Sequence, residues 1–141
     1  MFLGEYQHSI DEKGRVIMPA RFRDQLGDKF IITRGLDGCL FVYPMDEWLK
    51  LSHEVQNLPL ARKDARFFSR LLFSGAAEGE CDKQGRVSIP NNLREYALVQ
   101  KDVVIIGVST RLEIWSVENW AQVNDEAADK YEELAEKLEG F

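Results

Sequence analysis

The chain of 141 residues has little cysteine, and its apolar residues never form a long run. Cys39 and Cys81 are the two cysteines, and because no CxxC spacing occurs, we expect neither a disulfide framework nor a structural zinc site. No apolar run approaches the roughly 20 residues that cross a bilayer. The first residues, MFLGEYQHSI, lack the basic and then apolar order of a secretory signal. We therefore expect a cytoplasmic protein with no membrane partner.

Catalytic and metal-binding groups are also scarce. His8 and His53 are the two histidines, and a pair at this separation has no specificity for a metal. No GxxxxGK[ST] or GxGxxG loop is present to hold a phosphate. Asp46 and Glu47 stand at the start of a predicted helix, where capping and the helix dipole account for them. We expect no enzyme activity, no metal, no cofactor and no small-molecule substrate.

Acidic side chains are in excess, and most of this excess lies at the C-terminus. The net charge is −6, and residues 125–141, with seven acidic and two basic side chains, account for most of it. Apolar residues recur in this region at helical spacing, which predicts a terminal amphipathic helix. They are Ala127, Tyr131, Leu134 and Leu138. A helix packed on its own chain and a helix that binds a partner both fit this pattern.

The chain contains an internal repeat. DEKGRVIMPARFR at residues 11–23 matches DKQGRVSIPNNLR at residues 82–94 at a constant offset of 71 residues. The matched pairs are Asp11/Asp82, Gly14/Gly85, Arg15/Arg86, Val16/Val87, Pro19/Pro90 and Arg23/Arg94. Further matches are Phe2 and Gly4 with Phe73 and Gly75, then Gly35, Leu40, Val42 and Trp48 with Gly107, Leu112, Ile114 and Trp120. Each copy, of about 45 residues, is too small to build a stable core alone, so each needs the other.

Each copy predicts the element order ββαββ. Strand-like residues flank Gly14 and Gly85, so we expect a hairpin at each glycine. Pro19 and Pro90 are expected to open short helices, because proline suits the first helical position. The apolar pairs expected on the inner faces of these helices are Phe22 with Leu26 and Leu93 with Ala97. KFIITRGLDGCLFVYP and KDVVIIGVSTRLEIWS then predict a second hairpin in each copy.

Further helices are predicted outside these units. One follows each second hairpin, and we expect Trp48 and Trp120 to be core anchors of these helices rather than ligand-stacking residues. Between the copies, LARKDARFFSRLLF predicts a basic amphipathic helix. Its apolar side holds Leu60, Phe67, Leu71 and Leu72, and its cations are Arg62, Lys63, Arg66 and Arg70. These cations either face phosphate or form a solvated surface that balances acidic neighbours.

Charged residues recur around the glycine turn of each copy. They are Asp11, Lys13 and Arg15 in the first copy and Asp82, Lys83 and Arg86 in the second. In a structural interpretation, the aspartate caps the turn and pairs with the arginine four residues later. In a functional one, a two-stranded ribbon enters a major groove, the arginine donates two hydrogen bonds to guanine, and the aspartate orients it. The lysines are expected to contact phosphates.

A second pair of arginines also recurs. Arg23 and Arg94 lie on the short helices that follow Pro19 and Pro90. They either contact DNA or form ion pairs with acidic side chains, and exposed ion pairs of that kind are often incidental.

The pattern DxxGRVxxPxxxR, in two copies with FxG ahead of each, resembles the MraZ family of bacterial transcriptional regulators over nearly the whole chain. Each copy is also similar to the swapped-hairpin domain of AbrB-type regulators, whose core is GRVxIPxxLR. The second copy, GRVSIPNNLR, fits closely, and the first departs at Met18 and Phe22. The resemblance implies an α+β fold in which two tandem AbrB-like units form a pseudo-dimeric β-barrel with flanking helices, assembled into a ring of subunits.

The resemblance also implies a domain division. Residues 5–47 and 76–119 are the expected DNA-binding repeats, residues 48–75 a helical connector, and residues 120–141 a C-terminal helix. The implied function is a DNA-binding regulator, usually an autorepressor, of the division and cell-wall gene cluster. It would bind direct repeats of a short G-rich element and occupy the nucleoid.

Site residues follow from the same resemblance and from the residues themselves. The expected DNA-binding residues are Arg15, Arg86, Lys13 and Lys83, with Asp11 and Asp82 orienting the arginines and Gly14 and Gly85 forming the turns. The expected partners are double-stranded DNA and further copies of this chain. The alternative is an AbrB-like antitoxin or protein-interaction module. Such a module normally has one copy followed by a toxin-binding tail, so the internal duplication speaks against it.

Overall fold

A computed structural model describes residues 1–140 of the chain. The first copy comprises β1 (Phe2–Ser9), β2 (Arg15–Ile17), α1 (Ala20–Leu26), β3 (Phe30–Arg34), β4 (Leu40–Pro44) and α2 (Met45–Gln56). Then come α3 (Lys63–Ser74), β5 (Ala77–Gly79), β6 (Arg86–Ser88), α4 (Asn91–Ala97), β7 (Asp102–Ser109), β8 (Arg111–Ser116), α5 (Val117–Ala128) and α6 (Tyr131–Lys137). The predicted α+β class and the duplicated order ββαββ are confirmed.

The two copies exchange strands. Six strands form one sheet in the order β1-β7-β8-β4-β3-β5, and β2 and β6 form a separate two-stranded sheet. All pairs are antiparallel, and β1 pairs with β7 of the other copy, β5 with β3, and β2 with β6. The hairpin expected at each glycine turn is reduced to one bridge, Ile10 with Val16 or Cys81 with Val87, because the second strand pairs with the other copy.

These bridges connect the small sheet to both ends of the large one. Ile10 continues β1 and Cys81 follows β5, and β1 and β5 are the two edges of the six-stranded sheet. Within residues 1–140 no ladder joins β1 to β5. Strand pairing therefore does not establish the closed barrel that the resemblance implies.

One hydrophobic core is shared by the two copies. The predicted inner-face residues of α1 and α4 are all buried in it, and Phe22 and Leu93 are completely inaccessible. Phe22 makes edge-to-face contacts with Phe2 and Tyr6, with ring centroids 5.8 and 5.1 Å apart. Pro19 and Pro90 are N-caps, so each helix begins one residue later than predicted. Since side chains from both copies fill the same volume, neither copy keeps its core without the other.

A second cluster lies on the other face of the large sheet, under the longer helices. Trp48 is buried there and meets Phe73 with ring centroids 5.7 Å apart. Trp120 is half-buried against Trp115 at 5.6 Å. Both tryptophans therefore pack on the protein itself, as predicted. None of the helices within residues 1–140 is long and apolar enough to cross a lipid bilayer.

The amphipathic helices at the surface leave their apolar sides largely uncovered. In α3, Leu72 is buried, whereas Phe67 and Leu71 are exposed, and Leu60 lies just before the helix and is also exposed. The predicted C-terminal helix is divided into α5 and α6, which separates Ala127 from the other three members of its apolar stripe.

Candidate nucleic-acid interface

The turn of the first copy is organised by one carboxylate. Oδ1 of Asp11 accepts hydrogen bonds from the backbone N–H groups of Lys13 (2.9 Å) and Arg15 (2.8 Å). Oδ2 accepts from Nε of Arg15 at 2.7 Å. The backbone N–H of Gly14 donates to the Asp11 carbonyl at 3.0 Å, which requires a tight turn, and Gly14 has φ of 78°. Asp11 therefore both caps the turn and holds the arginine, as the structural interpretation predicts.

The turn of the second copy has the same geometry. Asp82 accepts from the backbone N–H groups of Gln84 (2.9 Å) and Arg86 (2.8 Å), and from Nε of Arg86 at 2.7 Å. Gly85 has φ of 80°. The recurrence of three distances at two independent turns shows that the Asp-x-x-Gly-Arg spacing determines this geometry locally.

The two lysines expected at the site are not equivalent. Gln84 takes the place of Lys13, while Lys83 takes the place of Glu12. All four side chains are exposed at the turns. Each turn therefore carries one lysine, but Lys13 is the second residue after its aspartate and Lys83 is the first.

The carboxylates of both turns are stabilised in their ionised form. The pKa of Asp11 is lowered, chiefly by the hydrogen bond from the backbone N–H of Arg15, and its side-chain bond to Arg15 adds to this. The pKa of Asp82 is lowered in the same way by Arg86. Each arginine is thus paired with a negative charge at neutral pH.

The two arginines remain accessible. The side chains of Arg15 and Arg86 are 26% and 30% exposed. Only Nε of each is bound by its aspartate, and among residues 1–140 neither terminal nitrogen donates a hydrogen bond. Each guanidinium can therefore present two parallel N–H donors to an acceptor outside the protein.

Strand pairing brings these arginines together from 71 residues apart. The register of β2 and β6 is Arg15 with Ser88, Val16 with Val87, and Ile17 with Arg86. Val16 and Val87 are buried in the shared core, so the alternating residues face outwards. Arg15 and Arg86 are diagonal neighbours on this outer face, at a spacing of about 7–8 Å. We call the β2/β6 pair with its two turns the ribbon.

Each turn is also supported by the opposite copy. The carbonyl of Gly85 accepts from the N–H of Met18 at 2.9 Å, and the carbonyl of Gly14 accepts from Ile89 at 2.9 Å. The guanidinium of Arg94 lies against Gly14 and occupies the space that a Cβ there would take. The exchange of supporting groups makes the ribbon one unit.

Arg23 occupies the corresponding place over Gly85, where its guanidinium fills the space that a Cβ would take. The ion pairs considered for Arg23 and Arg94 do not form within residues 1–140. Nε of Arg94 is buried and has no hydrogen-bond partner in the part of the chain that the structure describes. The recurrence of these arginines marked them in the sequence, but only strand exchange shows which turn each one covers.

Other polar residues do not gather into a site. His53 contacts Asn57 at 3.2 Å, and Asp46 and Glu47 lie in the first turn of α2, as predicted. Across residues 1–140 no three histidine, cysteine or acidic side chains come together in a way that could hold a metal ion. The ribbon is therefore the feature in which recurring charged residues converge.

Comparison with known proteins agrees with this duplicated geometry. The family described as "MraZ protein, putative antitoxin-like" matches twice, at residues 1–71 and 72–140. The chain belongs to the MraZ family. The boundary between the two MraZ matches falls inside α3, the helix that connects the copies.

Full-length relatives support the same assignment. Transcriptional regulator MraZ of Heliobacterium modesticaldum is 59% identical over 141 residues, covering 100% of this chain and 99% of that protein. The protein of the same name from Natranaerobius thermophilus is 58% identical over 141 residues, with the same coverage. That from Desulforamulus reducens is 58% identical over 138 residues, covering 98% of this chain and 97% of its own length. The family resemblance read from the repeated motif is confirmed.

Proposed function

We propose that this chain is a sequence-specific DNA-binding transcriptional regulator that reads double-stranded DNA with Arg15 and Arg86. The observation that carries the proposal is the outer face of the ribbon, where two aspartate-held arginines stand side by side. The names of the relatives, which are transcriptional regulators, support it. Since the resemblance is to regulators rather than enzymes, we also propose that the chain has no catalytic activity.

The ribbon has dimensions that suit a major groove. The groove is about 12 Å wide and admits a two-stranded β-ribbon. An arginine held at Nε has its two terminal nitrogens in position for O6 and N7 of guanine, the commonest specific contact there. Asp11 and Asp82 restrict the arginine side chains before binding, so less conformational entropy is lost on contact.

Positive charge near the ribbon would supply the non-specific part of the affinity. We propose that Lys13 and Lys83, exposed on the two turns, contact phosphates. The overall charge of −6 does not oppose this, because the acidic excess lies mostly in residues 125–141. Charges in solution are screened beyond about 8–10 Å, so the local sign decides.

The finer function follows from the family resemblance. We propose that the protein represses the division and cell-wall gene cluster that includes its own gene, binds direct repeats of a short G-rich element, and occupies the nucleoid in the cytoplasm. Copies of the chain would form a ring that presents one ribbon per subunit to successive copies of this G-rich element, which we call boxes. Linked sites then raise the affinity through effective concentration, without new contacts.

We further propose a domain division and a closed barrel. Residues 5–47 and 76–119 would be the DNA-binding repeats, with residues 48–75 as the connector and residues 120–141 as the C-terminal helix. The two single bridges that join the ribbon to β1 and β5 support a pseudo-dimeric barrel.

The test is the affinity of Arg15→Ala and Arg86→Ala for the promoter upstream of the gene itself. Each variant should lose about 1–3 kcal/mol of discrimination for guanine-containing boxes, the value of one bidentate contact. Fluorescence anisotropy against matched boxes with guanine replaced measures this loss, and circular dichroism checks the fold. Lys50→Ala, which removes one positive charge on α2 far from the ribbon in sequence, is the control.

Footprinting supplies the second measurement. We expect DNase protection of short, evenly spaced G-rich boxes upstream of the gene. The proposal is wrong if both arginine variants bind these boxes with unchanged affinity and preference.

A second candidate is an antitoxin or protein-interaction module, which the "antitoxin-like" description of the family favours. In that case a toxin should co-purify with the chain from its own cells. After the toxin is removed, the arginine variants and the unmodified protein should then show the same affinity for DNA.

A further inference from the structure

Helix α3 exposes an apolar face that the described part of the chain, residues 1–140, does not cover. Phe67, Phe68 and Leu71 are 49%, 40% and 54% exposed, and their spacing places them on adjoining positions of one helix surface. Beside them lies a groove of about 350 Å³ between α3 and the large sheet. Its other apolar lining residues are Leu36, Phe41, Tyr43, Leu51, Leu72 and Tyr96. We call Phe67 and this groove, which includes Phe68 and Leu71, the α3 patch.

The α3 patch is bordered by cations. Nζ of Lys63 and the guanidinium of Arg70 both lie over the ring of Phe67, at 5.7 and 5.5 Å from its centroid. Arg66 donates to the backbone carbonyls of Leu60 and Ala61. For these three cations no carboxylate of residues 1–140 lies within ion-pair distance. An occupant of the patch should therefore be apolar with acidic borders.

Helix α6 has those properties. Tyr131, Leu134 and Leu138 are 76%, 45% and 61% exposed, and their spacing of three and four residues forms one stripe across α6 and the residue that follows it. None of the seven residues of α6 is buried. The acidic residues that flank the stripe are Glu132, Glu133, Glu136 and Glu139. α6 thus combines an uncovered apolar stripe with a charge opposite to that of α3.

We propose that the α6 stripe of one copy docks on the α3 patch of a second copy, with the glutamates of α6 against Lys63, Arg66 and Arg70. The proposal deepens the proposed function, because it supplies the contact between subunits of the proposed ring. Two different surfaces meet in this contact, so it is heterologous, and repetition of a heterologous contact produces a closed ring or an open filament.

Two full-length double variants test the contact from each side. The tail variant is Leu134→Ser with Leu138→Ser, and the patch variant is Phe67→Ser with Leu71→Ser. Since all four side chains are exposed, each variant should keep its fold by circular dichroism. Light scattering during gel filtration should show a large assembly for the unmodified protein and a monomer for each variant. Leu49→Ser, at a leucine 61% exposed on α2 that does not line the groove, is the matched control and should stay assembled.

Mixing the two variants tests the head-to-tail geometry. The tail variant keeps an intact patch and the patch variant keeps an intact stripe, so an equimolar mixture should form a heterodimer and nothing larger. If the tail variant alone remains assembled, the patch is covered by another surface and the proposal fails. It also fails if the unmodified protein is a monomer or if the mixture stays monomeric.

DNA binding separates this proposal from the proposed function. The tail variant keeps both arginines, so its affinity for a single box should change less than about twofold, while binding to the promoter array should fall by about 100-fold. Arg15→Ala with Arg86→Ala should stay assembled and lose the single box. Assembly that survives in the tail variant overturns the docking contact alone, and an unaffected single box in the arginine variant overturns the DNA-reading residues alone.

Discussion

In the first copy of the repeat Asp11 holds Nε of Arg15 at 2.7 Å, and in the second copy Asp82 holds Nε of Arg86 at the same distance. The regions around these turns are far less alike. Strand β1 has eight residues and β5 has three. The second helix that follows the β3/β4 hairpin, α3, is basic, whereas the second helix that follows the β7/β8 hairpin, α6, is acidic.

The contrast teaches where duplication constrains this chain. The turns, the ribbon and the helices that carry Phe22 and Leu93 fill one shared core from two sides, so a change in one copy is felt by the other. The outer helices differ in their surroundings, because α3 packs near β3 and buries Leu72, whereas no residue of α6 is buried. Equivalent helices outside the core are therefore able to carry opposite charges.

The largest expected effect concerns the shared core. Phe22→Ala should lower the free energy of unfolding by about 3–5 kcal/mol and Leu93→Ala by about 2–5 kcal/mol. Since both side chains lie in one cluster, each variant should unfold in a single transition. Urea titrations followed by far-UV circular dichroism and tryptophan fluorescence should coincide. Two separate transitions would show that the copies have independent cores.

The next effect concerns the exchanged support of the turns. Gly14→Ala and Gly85→Ala should each lower the free energy of unfolding by about 1–2 kcal/mol, because a side chain at positive φ is strained. Arg94 covers Gly14, so Gly14→Ala with Arg94→Ala should be less destabilising than the sum of the single changes.

Gly14→Ala with Arg23→Ala is the matched control for this cycle. Arg23 covers Gly85 instead, so these two changes should be additive. Coupling of Gly14 to Arg23 rather than to Arg94 would contradict the exchange.

A smaller effect is expected from pH. The pKa of each turn carboxyl is held below its usual value of about 3.9, so ionisation favours the folded state. The stabilisation from Asp11 and Asp82 is fully present above that usual value and is lost as the pH falls through the lower folded-state pKa. Carboxyl carbon shifts followed by NMR should show both midpoints below the ordinary value.

The same titration distinguishes the two copies. Arg15→Ala should raise the titration midpoint of Asp11 and leave the midpoint of Asp82 unchanged, because each aspartate–arginine ion pair lies within one copy. If either aspartate of the unmodified protein titrates at or above the ordinary pKa of an aspartate, the two aspartate–arginine ion pairs do not stabilise the carboxylates as described.

The smallest effect concerns the two lysines, which are not equivalent. Lys13→Ala and Lys83→Ala should each reduce the slope of log affinity against log salt by about one, with little change in sequence preference. Gln84→Ala, at the position equivalent to Lys13, carries no charge and is the control. A changed base preference in either lysine variant would show that the lysine contacts a base instead.

Much of the fold could be predicted from the residues because its signals are local. The order ββαββ, the buried pairs on α1 and α4, and the core positions of Trp48 and Trp120 follow from turn residues and apolar spacing over a few positions. Strand pairing between the copies has no such local signal. The glycine turn predicted a hairpin in each copy, but a single bridge remains because β2 pairs with β6.

The candidate site divides in the same way. The bonds from Asp11 to Lys13 and Arg15 span four residues at most, so sequence spacing is enough to anticipate them. The interpretation that Arg23 and Arg94 form ion pairs with acidic side chains is wrong within residues 1–140, since each guanidinium lies on a glycine of the other copy. Charge alone makes Lys13 and Lys83 look equivalent, whereas the hydrogen bonds of the turns show that they differ in position.

The sequence by itself determined the duplication, the turn geometry around each Asp-x-x-Gly-Arg and the family, because these depend on residue identity within short segments. Only the tertiary structure decided that strands are exchanged, that Arg15 and Arg86 share one outer face, and that α3 keeps an uncovered apolar side. Such features depend on which strands pair across long stretches of sequence. Because the two copies have similar local patterns, the pattern of one strand does not show whether it pairs within its own copy or with the other copy. The choice between them is made by the shared core, in which both copies bury their apolar faces together.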